Sequence, residues 1–405
     1  MSAKYYLLGE KLKHSYSSLI HKRRGYDYEL KEIEKSELGE FVKSKNFSGL
    51  NVTVPYKTEV IKYLDCIEKF AAEIGAVNTV VNKNGKLYGY NTDVSGLAYT
   101  LKRADIKISG KNVLVLGSGG ASKTAVALFK KLGAAKTDVV SRTGEVNYEN
   151  CYTPGRTQVV VNCTPVGTFP FDGARPIDLS RFPTLEGVVD LTYNPSRTQL
   201  ILQAEELGVK AVNGLYMLVV QAFDSEELFD GKTFAEEEVE NEVKRIRRET
   251  DDVVLVGASG AGKSTVGKIL GALTEREVVD TDEAIKRAYG ISAGDIITRY
   301  GEEYFREIEE RVVDEACQRR GVIVVTGGGA VTRRKNRDAM RRCGKVFWIC
   351  RDADKLESEG RPLAVKYGAK ELLEMRKPLY NAVCDVKVEN ADSAEDCAGE
   401  ILKLL

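Results

Sequence analysis

Short runs of β-branched and other apolar residues alternate along this chain with stretches of helical length, and glycines cluster where the runs end. Runs of this kind are "KNVLVLG", "QVVVNCT", "DVVLVG", "GVIVVTGGG" and "KVFWIC". The alternation is typical of parallel β-sheets that are covered by helices on both faces. Ligands of such sheets bind in the loops that follow the strands. The pattern therefore predicts an α/β protein with glycine-rich binding loops.

The loop at residues 257–264, "GASGAGKS", matches the P-loop pattern GxxxxGK[ST] and stands between a strand pattern and a helix pattern. Its glycines let backbone N–H groups turn inward around phosphates, and the start of the helix adds positive potential. We expect Lys263 to reach the outer phosphates and Ser264 to bind Mg²⁺. The pattern predicts a nucleoside triphosphate site whose residues are Gly257, Gly260, Gly262, Lys263, Ser264 and Thr265.

Four charged residues after this loop are candidates for handling a phosphate acceptor. Asp280 and Asp282 end the next strand pattern and are two positions apart, so they share one face. One carboxylate could hold magnesium waters while the other orients an acceptor hydroxyl; an ordinary turn at the strand end is the alternative. Arg306 and Arg376 suit a substrate carboxylate, which a planar guanidinium binds bidentately. Isolated arginines more often lie on the surface, and that alternative stays open.

A second glycine-rich loop, "GSGGAS" at residues 117–122, follows an earlier strand pattern. It has the GxG of a dinucleotide-binding loop, with Ser122 in place of a third glycine. The next strand pattern ends at Arg142, where NAD enzymes place an acidic residue. An arginine there suits the 2′-phosphate of NADP, and a surface arginine is the alternative. The chain between Thr143 and Val159 is short, which predicts the loss of a crossover helix.

Composition excludes several classes of protein. The 60 basic and 60 acidic residues balance, so no net charge attracts nucleic acid or an anionic membrane. No apolar run approaches the roughly 20 residues of a membrane-spanning helix, and the N-terminus has too short an apolar stretch for a signal peptide. Only two histidines, His14 and His21, are present, which argues against Ser-His-Asp hydrolysis and HExxH zinc chemistry. We expect a cytoplasmic enzyme of small-molecule substrates, and its oligomeric state stays open.

Residues 252–405 resemble shikimate kinase in the motifs GASGAGKST, DTDEAI, GEEYFREIEE, TGGGAV, GRPL and RKPLY. The resemblance implies ATP and Mg²⁺ as cofactors, with Asp280 on the magnesium side and Asp282 meeting the acceptor hydroxyl. It implies that Arg306 and Arg376 clamp the substrate carboxylate. The remaining residues that it implicates are a loop beneath the sugar-like ring and an arginine of the lid: Gly327, Gly328, Gly329 and Arg361.

Residues 4 to about 246 resemble shikimate dehydrogenase in the motifs HSYSSLIH, NVTVPYK, GAVNTVV, GYNTDVSG and NGLYMLVVQAF. The resemblance implies Lys57 and Asp93 as the catalytic pair. A protonated lysine beside an aspartate can donate to a ketone oxygen as hydride arrives. It implies that Ser15 and Ser17 bind the substrate carboxylate and that Tyr193 belongs to a closing loop. The residues implied to bind the ring hydroxyls are Thr53, Asn78 and Gln221. The implied NADP(H) residues are Gly117, Gly119, Gly120, Ala121, Ser141, Arg142, Thr143 and Gly214.

Together the two resemblances imply an N-terminal substrate domain, a Rossmann-type dinucleotide domain and a P-loop kinase domain with a parallel sheet. The expected boundaries are 1–92 with 213–248, then 93–212, a linker at 249–252, and 253–405. The implied reactions are reduction of 3-dehydroshikimate to shikimate with NADPH, then phosphorylation to shikimate 3-phosphate with ATP. Two alternatives remain: an NAD-dependent quinate/shikimate dehydrogenase joined to a small-molecule kinase, or a nucleotide-binding regulator without turnover.

Overall fold

A computed structural model describes residues 3–12, 15–152, 156–356, 365 and 367–405. The chain forms two compact units. The first comprises Met1–Thr168, Ala174–Tyr193 and Gln203–Arg245. The second comprises Phe169–Gly173, Asn194–Leu202 and Ile246–Leu405. Among the described residues, no helix is long and apolar enough to cross a membrane.

Among the described residues, the first eleven strands and eight helices run from residue 5 to residue 250. The strands are β1 Tyr5–Gly9, β2 Tyr28–Glu32, β3 Gly49–Val52, β4 Cys66–Ile67, β5 Thr79–Lys83, β6 Lys86–Tyr90, β7 Asn112–Leu116, β8 Lys136–Val140, β9 Val159–Asn162, β10 Gly187–Asp190 and β11 Lys210–Asn213. The helices are α1 Ser17–Arg23, α2 Leu38–Ser44, α3 Lys69–Ile74, α4 Asp93–Arg103, α5 Gly120–Lys131, α6 Gln199–Glu206, α7 Leu215–Asp230 and α8 Glu236–Thr250. Short 3₁₀ turns lie at Val60–Tyr63 and Leu179–Arg181.

The first sheet has six strands in the order β2-β1-β3-β5-β6-β4 and is mixed rather than parallel. Strand β5 pairs antiparallel with both β3 and β6. This differs from the parallel sheets expected from the strand and helix alternation. The reason is local: Asn84 and Gly85 both have positive φ, 54° and 81°, and form a two-residue turn between β5 and β6. An Asn-Gly pair is the usual sequence of such a hairpin turn.

The second sheet has five strands in the order β11-β10-β9-β7-β8, and every pair is parallel. All residues of β9 and β10 are buried, as expected for strands covered on both faces. Between β8 and β9, the described residues form turns and bends but no helix. This agrees with the short spacing between Thr143 and Val159.

The second unit contains a third sheet, with strands β12 Asp252–Val256, β13 Val278–Asp280, β14 Ile323–Val325, β15 Gly344–Cys350 and β16 Val386–Glu389. Its helices are α9 Lys263–Thr274, α10 Thr281–Tyr289, α11 Ala293–Tyr300, α12 Glu302–Cys317, α13 Arg334–Cys343, α14 Ala369–Val383 and α15 Ala394–Leu404, with 3₁₀ turns at Ala330–Thr332 and Ala353–Lys355. The strand order is β13-β14-β12-β15-β16, all parallel. The carboxyl ends of β12, β13 and β14 therefore meet at one edge, where the predicted kinase residues lie.

Candidate active sites

The loop between β12 and α9 has the backbone geometry of a phosphate-binding loop. Gly257, Gly260 and Gly262 have φ values of 145°, 86° and 90°, a region that favours glycine. A Cβ at position 257 would also lie 2.4 Å from the carbonyl oxygen of Ile349. At position 262 it would lie 2.3 Å from Nδ2 of Asn390. The spacing of the three glycines is therefore required by the local fold.

Polar side chains at the start of α9 fit a magnesium–triphosphate group. Lys263 is buried, and its Nζ donates to the carbonyl oxygens of Gly257 and Ala258, each at 2.9 Å. The Ser264 hydroxyl donates to Oδ2 of Asp280 at 2.7 Å. Hydroxyl and carboxylate oxygens are the donors that Mg²⁺ prefers, and a helix start with a lysine suits phosphate oxygens. Ser264 and Asp280, each expected on the magnesium side, therefore lie together.

A cavity of about 340 Å³ lies beside this loop in the second unit. Asp282, Arg306, Arg376 and the three glycines of residues 327–329 all line it. Burial raises the pKa of Asp282, as does the neighbouring Asp280, and Lys263 and Arg306 oppose that rise. The residues expected to meet the phosphate acceptor are therefore brought to one place.

The triple-glycine loop touches three parts of this cavity at distances that leave no room for side chains. A Cβ at Gly327 would lie 2.9 Å from Oδ1 of Asp282, and a Cβ at Gly328 would lie 2.7 Å from the backbone nitrogen of Ser259. At Gly329 it would lie 2.2 Å from Nη2 of Arg306. The loop after β14 therefore separates the phosphate loop from the guanidinium and needs glycine by close approach.

Arg306 is held in a fixed orientation by two glutamates of its own helix. Its side chain is 6% exposed, Nη1 donates to Glu309 Oε2 at 2.6 Å, and Nη2 donates to Glu302 Oε1 at 2.9 Å. Burial raises the pKa of Glu309 to about 6, and Arg306 opposes this rise. Oε1 of Glu309 is buried and has no hydrogen-bond partner among the described residues. Sequence reasoning missed Glu309, although its place three residues after Arg306 on a helix was a usable signal.

Arg376 is half-buried on α14 and hydrogen-bonds to Tyr380. The Tyr380 hydroxyl donates to the carbonyl oxygen of Gly328 at 2.5 Å, so α14 is fastened to the triple-glycine loop. Burial raises the pKa of Tyr380 to about 12, which keeps this hydroxyl a donor. Arg361, the expected lid arginine, lies outside the described residues.

In the first unit, the predicted lysine and aspartate form an ion pair. Lys57 follows β3, and Asp93 is the first residue of α4. Lys57 Nζ lies 2.6 Å from Asp93 Oδ2, with the two side chains 14% and 6% exposed. Asn78 Nδ2 donates to the other oxygen of Asp93 at 3.0 Å. Both carboxylate oxygens are thus occupied, and the direction of the lysine is fixed.

The amide of Asn78 is itself oriented by neighbouring groups. Its Oδ1 accepts the backbone N–H of Thr92 at 2.8 Å, and its Nδ2 lies 3.5 Å from Oε1 of Gln221. Thr79 and Ser225 extend this buried network, with their hydroxyl oxygens 2.9 Å apart. Asn78 and Gln221, both expected to bind substrate hydroxyls, therefore lie together beside the ion pair.

Three further predicted substrate residues form a separate group. The hydroxyl oxygens of Ser15 and Ser17 are 3.2 Å apart. Tyr193 stacks obliquely on Tyr16, with ring centroids 5.2 Å apart, and hydrogen-bonds to Ser15. Burial and the neighbouring Tyr16 raise the pKa of Tyr193 to about 12. Thr53 is half-buried, and among the described residues its hydroxyl has no hydrogen-bond partner.

The dinucleotide-type loop between β7 and α5 lies against Lys57. Gly117 has a φ of 101°, and a Cβ there would lie 3.0 Å from Thr164 Cγ2. A Cβ on Gly120, the first residue of α5, would lie 3.3 Å from Cβ and Cδ of Lys57. Gly214 approaches the main chain of Leu191 so closely that a Cβ would lie 2.1 Å from its carbonyl oxygen. The helix start that suits a phosphate therefore adjoins the ion pair.

Residues after β8 are open to a ligand. Arg142 and Thr143 are exposed, and Ser141 is half-buried. Within the described part of the chain, the Arg142 guanidinium makes no ion pair or hydrogen bond. Its fork is free to bind a phosphate at this strand end.

Comparison with known proteins agrees with this geometry. Residues 7–80 match the family model "Shikimate dehydrogenase substrate binding domain". Over 263 residues, the chain is 35% identical to "Shikimate dehydrogenase (NADP(+))" from Clostridium perfringens, covering 59% of this chain and 97% of that protein. The chain belongs to the shikimate dehydrogenase family. Residues 259–405 match the family model "Shikimate kinase", so a shikimate kinase domain follows the dehydrogenase.

Two solved structures support the dehydrogenase assignment. Shikimate dehydrogenase 1 from Peptoclostridium difficile is 35% identical with a TM-score of 0.57, covering 60% of this chain and 97% of its own. A chorismate mutase/shikimate 5-dehydrogenase fusion protein from Clostridium acetobutylicum is 38% identical with a TM-score of 0.57, covering 61% and 97%. The latter shows a shikimate dehydrogenase fused to a different enzyme.

Proposed function

We propose that this chain catalyses two consecutive reactions of the shikimate pathway. Its shikimate dehydrogenase part reduces 3-dehydroshikimate to shikimate with NADPH, and its shikimate kinase part transfers the γ-phosphoryl group of ATP to shikimate with Mg²⁺. One observation carries the proposal. A lysine–aspartate pair adjoins a dinucleotide loop, and a separate cavity with an aspartate and two arginines adjoins a phosphate loop.

In the dehydrogenase reaction, NADPH supplies the hydride and Lys57 supplies the proton. The ammonium donates to the ketone oxygen, which becomes the new hydroxyl. Asp93 keeps the ammonium aimed at that oxygen through its 2.6 Å ion pair, and Asn78 holds Asp93 through its 3.0 Å hydrogen bond. A positioned proton donor of this kind accelerates a reaction by typically 10²- to 10⁴-fold.

The remaining predicted residues of the first unit have binding roles in this proposal. Ser15 and Ser17 bind the substrate carboxylate, and Tyr193 closes over them. The ring hydroxyls are bound by the polar side chains around the ion pair: Thr53, Asn78 and Gln221. The cofactor is bound by the loop and strand ends of the second sheet: Gly117, Gly119, Gly120, Ala121, Ser141, Arg142, Thr143 and Gly214.

In the kinase reaction, ATP supplies the phosphoryl group, and Ser264 and Asp280 hold Mg²⁺. Asp282 orients the acceptor hydroxyl and accepts its proton. The raised pKa of Asp282 makes it a stronger base than an ordinary aspartate once it is ionised. Arg306 and Arg376 bind the substrate carboxylate, and Arg361 reaches the transferred group.

The two alternatives receive less support. The relative from Clostridium perfringens is named as an NADP(+) enzyme, and the exposed Arg142 suits the 2′-phosphate of NADP. Both observations disfavour an NAD-dependent quinate enzyme. A regulator without turnover has no need of Lys57, Asp93, Lys263 and Asp282 together. The functional division that we propose is 1–92 with 213–248 for the first substrate, 93–212 for NADP(H) and 253–405 for the kinase.

A pair of matched variants tests the proposal in the full-length chain. Lys57→Ala should abolish NADPH oxidation with 3-dehydroshikimate and leave shikimate-dependent ADP formation intact. Asp282→Asn should have the opposite effect. Each variant is the control for the other, because both receive the same purification and both activities are measured on one sample. Loss of both activities in either variant, or of neither, would contradict the assignment of two separate sites.

A further inference from the structure

The second unit includes two short segments that lie, in sequence, within the dehydrogenase. They are Phe169–Gly173 and Asn194–Leu202. Neither belongs to the matched kinase residues, which begin at 259. Their polar side chains contact residues that lie just before β12, β14, β15 and β16, at the edge of the third sheet opposite to the phosphate loop.

Asp172 of the first segment lies between two nearly buried arginines. It is 4% exposed, and its Oδ2 lies 2.9 Å from Nη2 of Arg320. Its Oδ1 lies 3.6 Å from Nη2 of Arg342. Arg342 is also 3.7 Å from the exposed Asp314, and Arg320 interacts electrostatically with the buried Asp252. Asp172 is therefore the one carboxylate that pairs with both guanidinium groups in the described part of the chain.

The second segment contributes a bidentate pair and a hydroxyl. Arg197 Nη2 lies 2.6 Å from Asp385 Oδ1, and Nη1 donates to Oδ2 at 3.1 Å. Oδ2 of Asp385 also accepts the backbone N–H of Val346 in β15 at 2.9 Å. Ser196 donates to the carboxylate of Asp251, directly before β12. Both contacts bind the segment to the amino-terminal edge of the third sheet, at Asp251 before β12 and at Asp385 before the edge strand β16.

Removing Asp172 leaves charge in a poorly hydrated place. A buried ion pair is a weak stabiliser compared with apolar packing, but removing a single partner is strongly destabilising because the other charge stays buried alone. Arg320 and Arg342 would keep their charges without Asp172. The pair of Arg197 with Asp385 is partly exposed, with the two side chains 27% and 21% exposed, so its loss is less destabilising. The kinase cavity lies at the other edge of the sheet, so these residues bear on stability rather than on substrate contacts.

We propose that Asp172 and Arg197 are structural parts of the kinase unit, although they lie within the dehydrogenase sequence. They complete charge pairs with residues that lie just before β14, β15 and β16, and the kinase unit requires them for its stability. The amino-terminal edge of the third sheet thus binds two segments of the same chain. This inference does not rest on the proposed reactions, because it is tested by unfolding.

The chain has a single tryptophan, Trp348, and it is buried in β15 of the second unit. Its fluorescence therefore reports unfolding of this unit in the full-length chain. We expect Asp172→Ala to lower the fluorescence melting temperature by roughly 5 to 15 °C. Arg197→Ala, which removes a partly exposed bidentate pair, should lower it by roughly a few degrees. Lys335→Ala is the matched control, since it removes an exposed ion pair with Glu310 within the same unit, and it should change the midpoint by about 1 °C or less.

A double-variant cycle guards against general damage. Asp385→Ala should also lower the midpoint, and Arg197→Ala combined with Asp385→Ala should lower it by clearly less than the sum of the single effects. Arg197→Lys, which keeps the charge but loses the bidentate geometry, should fall between wild type and Arg197→Ala, and it serves as the probe if an alanine variant fails to fold. Midpoints within about 1 °C of wild type for Asp172→Ala and Arg197→Ala, or strictly additive effects in the cycle, would overturn the proposal.

Discussion

Replacing Gly329 by alanine is a direct way to displace the proposed substrate arginine. A Cβ at this position would lie 2.2, 2.4 and 2.5 Å from Nη2, Nη1 and Cζ of Arg306. The guanidinium is nearly buried and hydrogen-bonded to Glu302 and Glu309, so it has little freedom to yield sideways. Since Gly329 has a φ of −100°, the backbone itself tolerates alanine. The perturbation therefore acts on the position of Arg306.

The size of the effect follows from the bond that is lost. A hydrogen bond to a charged group contributes about 1.5–3 kcal/mol, which corresponds to roughly 10- to 150-fold in an equilibrium constant. We therefore expect Gly329→Ala to raise the KM for shikimate in the kinase reaction by about 10- to 100-fold. The KM for ATP should change little, because Gly257, Gly260 and Gly262 are untouched.

The assay is the initial rate of ADP formation, with shikimate varied at saturating ATP and then ATP varied at saturating shikimate. Gly399→Ala in α15 is the matched control, since a Cβ there meets no atom within 4 Å, and it should leave both constants unchanged. Dehydrogenase activity in the same samples checks the amount of folded chain. An unchanged KM for shikimate in a folded Gly329→Ala chain would refute the role of Arg306 in carboxylate binding.

Four further outcomes are expected. Arg142→Ala should weaken the binding of NADPH by roughly tenfold or more and that of NADH little. Equal losses of affinity for the two cofactors would show that Arg142 does not bind the 2′-phosphate. Arg376→Ala should raise the KM for shikimate and not that for ATP, and the reverse would exclude it from the carboxylate clamp. Asp93→Asn should slow ketone reduction by about 10²- to 10⁴-fold while kinase activity persists; near-normal reduction would show that Lys57 is oriented by another group. Burial raises the pKa of Asp252 from an ordinary 3.8 to about 7, so the folded chain binds a proton there that the unfolded chain has lost. Its contribution to stability is complete below about pH 4 and is lost as the pH rises through about 7. The free energy of unfolding of the wild type, measured by urea unfolding with Trp348 fluorescence, should therefore fall between pH 5 and pH 8 by up to about 1.4 kcal/mol per pH unit. Asp252→Asn should lack this fall, and an identical pH dependence in wild type and variant would contradict the role of Asp252.

Local patterns predicted the parts of the fold that depend on nearby residues. The glycines of the phosphate loop occupy backbone conformations that other residues rarely adopt, so their spacing alone indicated the loop. Ser264 and Asp280 were each expected on the magnesium side, and they lie together because the carboxyl ends of the parallel strands β12 and β13 are at the same edge of the sheet. The absence of a helix between β8 and β9 in the described residues followed from the short spacing. The alternation of strands and helices predicts only parallel pairing, whereas the Asn84-Gly85 pair has the sequence of a two-residue hairpin turn and makes the first sheet mixed.

Other features depend on contacts between residues far apart in the chain. Glu309 is one of several glutamates in "GEEYFREIEE", and only the packing of α12 shows that it is buried beside Arg306. The approach of Gly120 to Lys57 joins two sheets whose residues are far apart in sequence. Asp172 and Arg197 have no local motif, because their partners follow them by more than a hundred positions. Such pairings arise from the tertiary structure and leave no periodic pattern in the sequence.

The most direct test of the central claim is the stoichiometry of one reaction that contains the full-length chain, 3-dehydroshikimate, NADPH, ATP and Mg²⁺. NADPH oxidation and ADP formation are followed together, and the products are identified by mass spectrometry. We predict one ADP for each NADPH at completion, shikimate as a transient species, and shikimate 3-phosphate as the final product, with no ADP formed when NADPH is omitted. NADPH oxidation that leaves shikimate unphosphorylated, or ADP formation that does not require NADPH, would contradict the account.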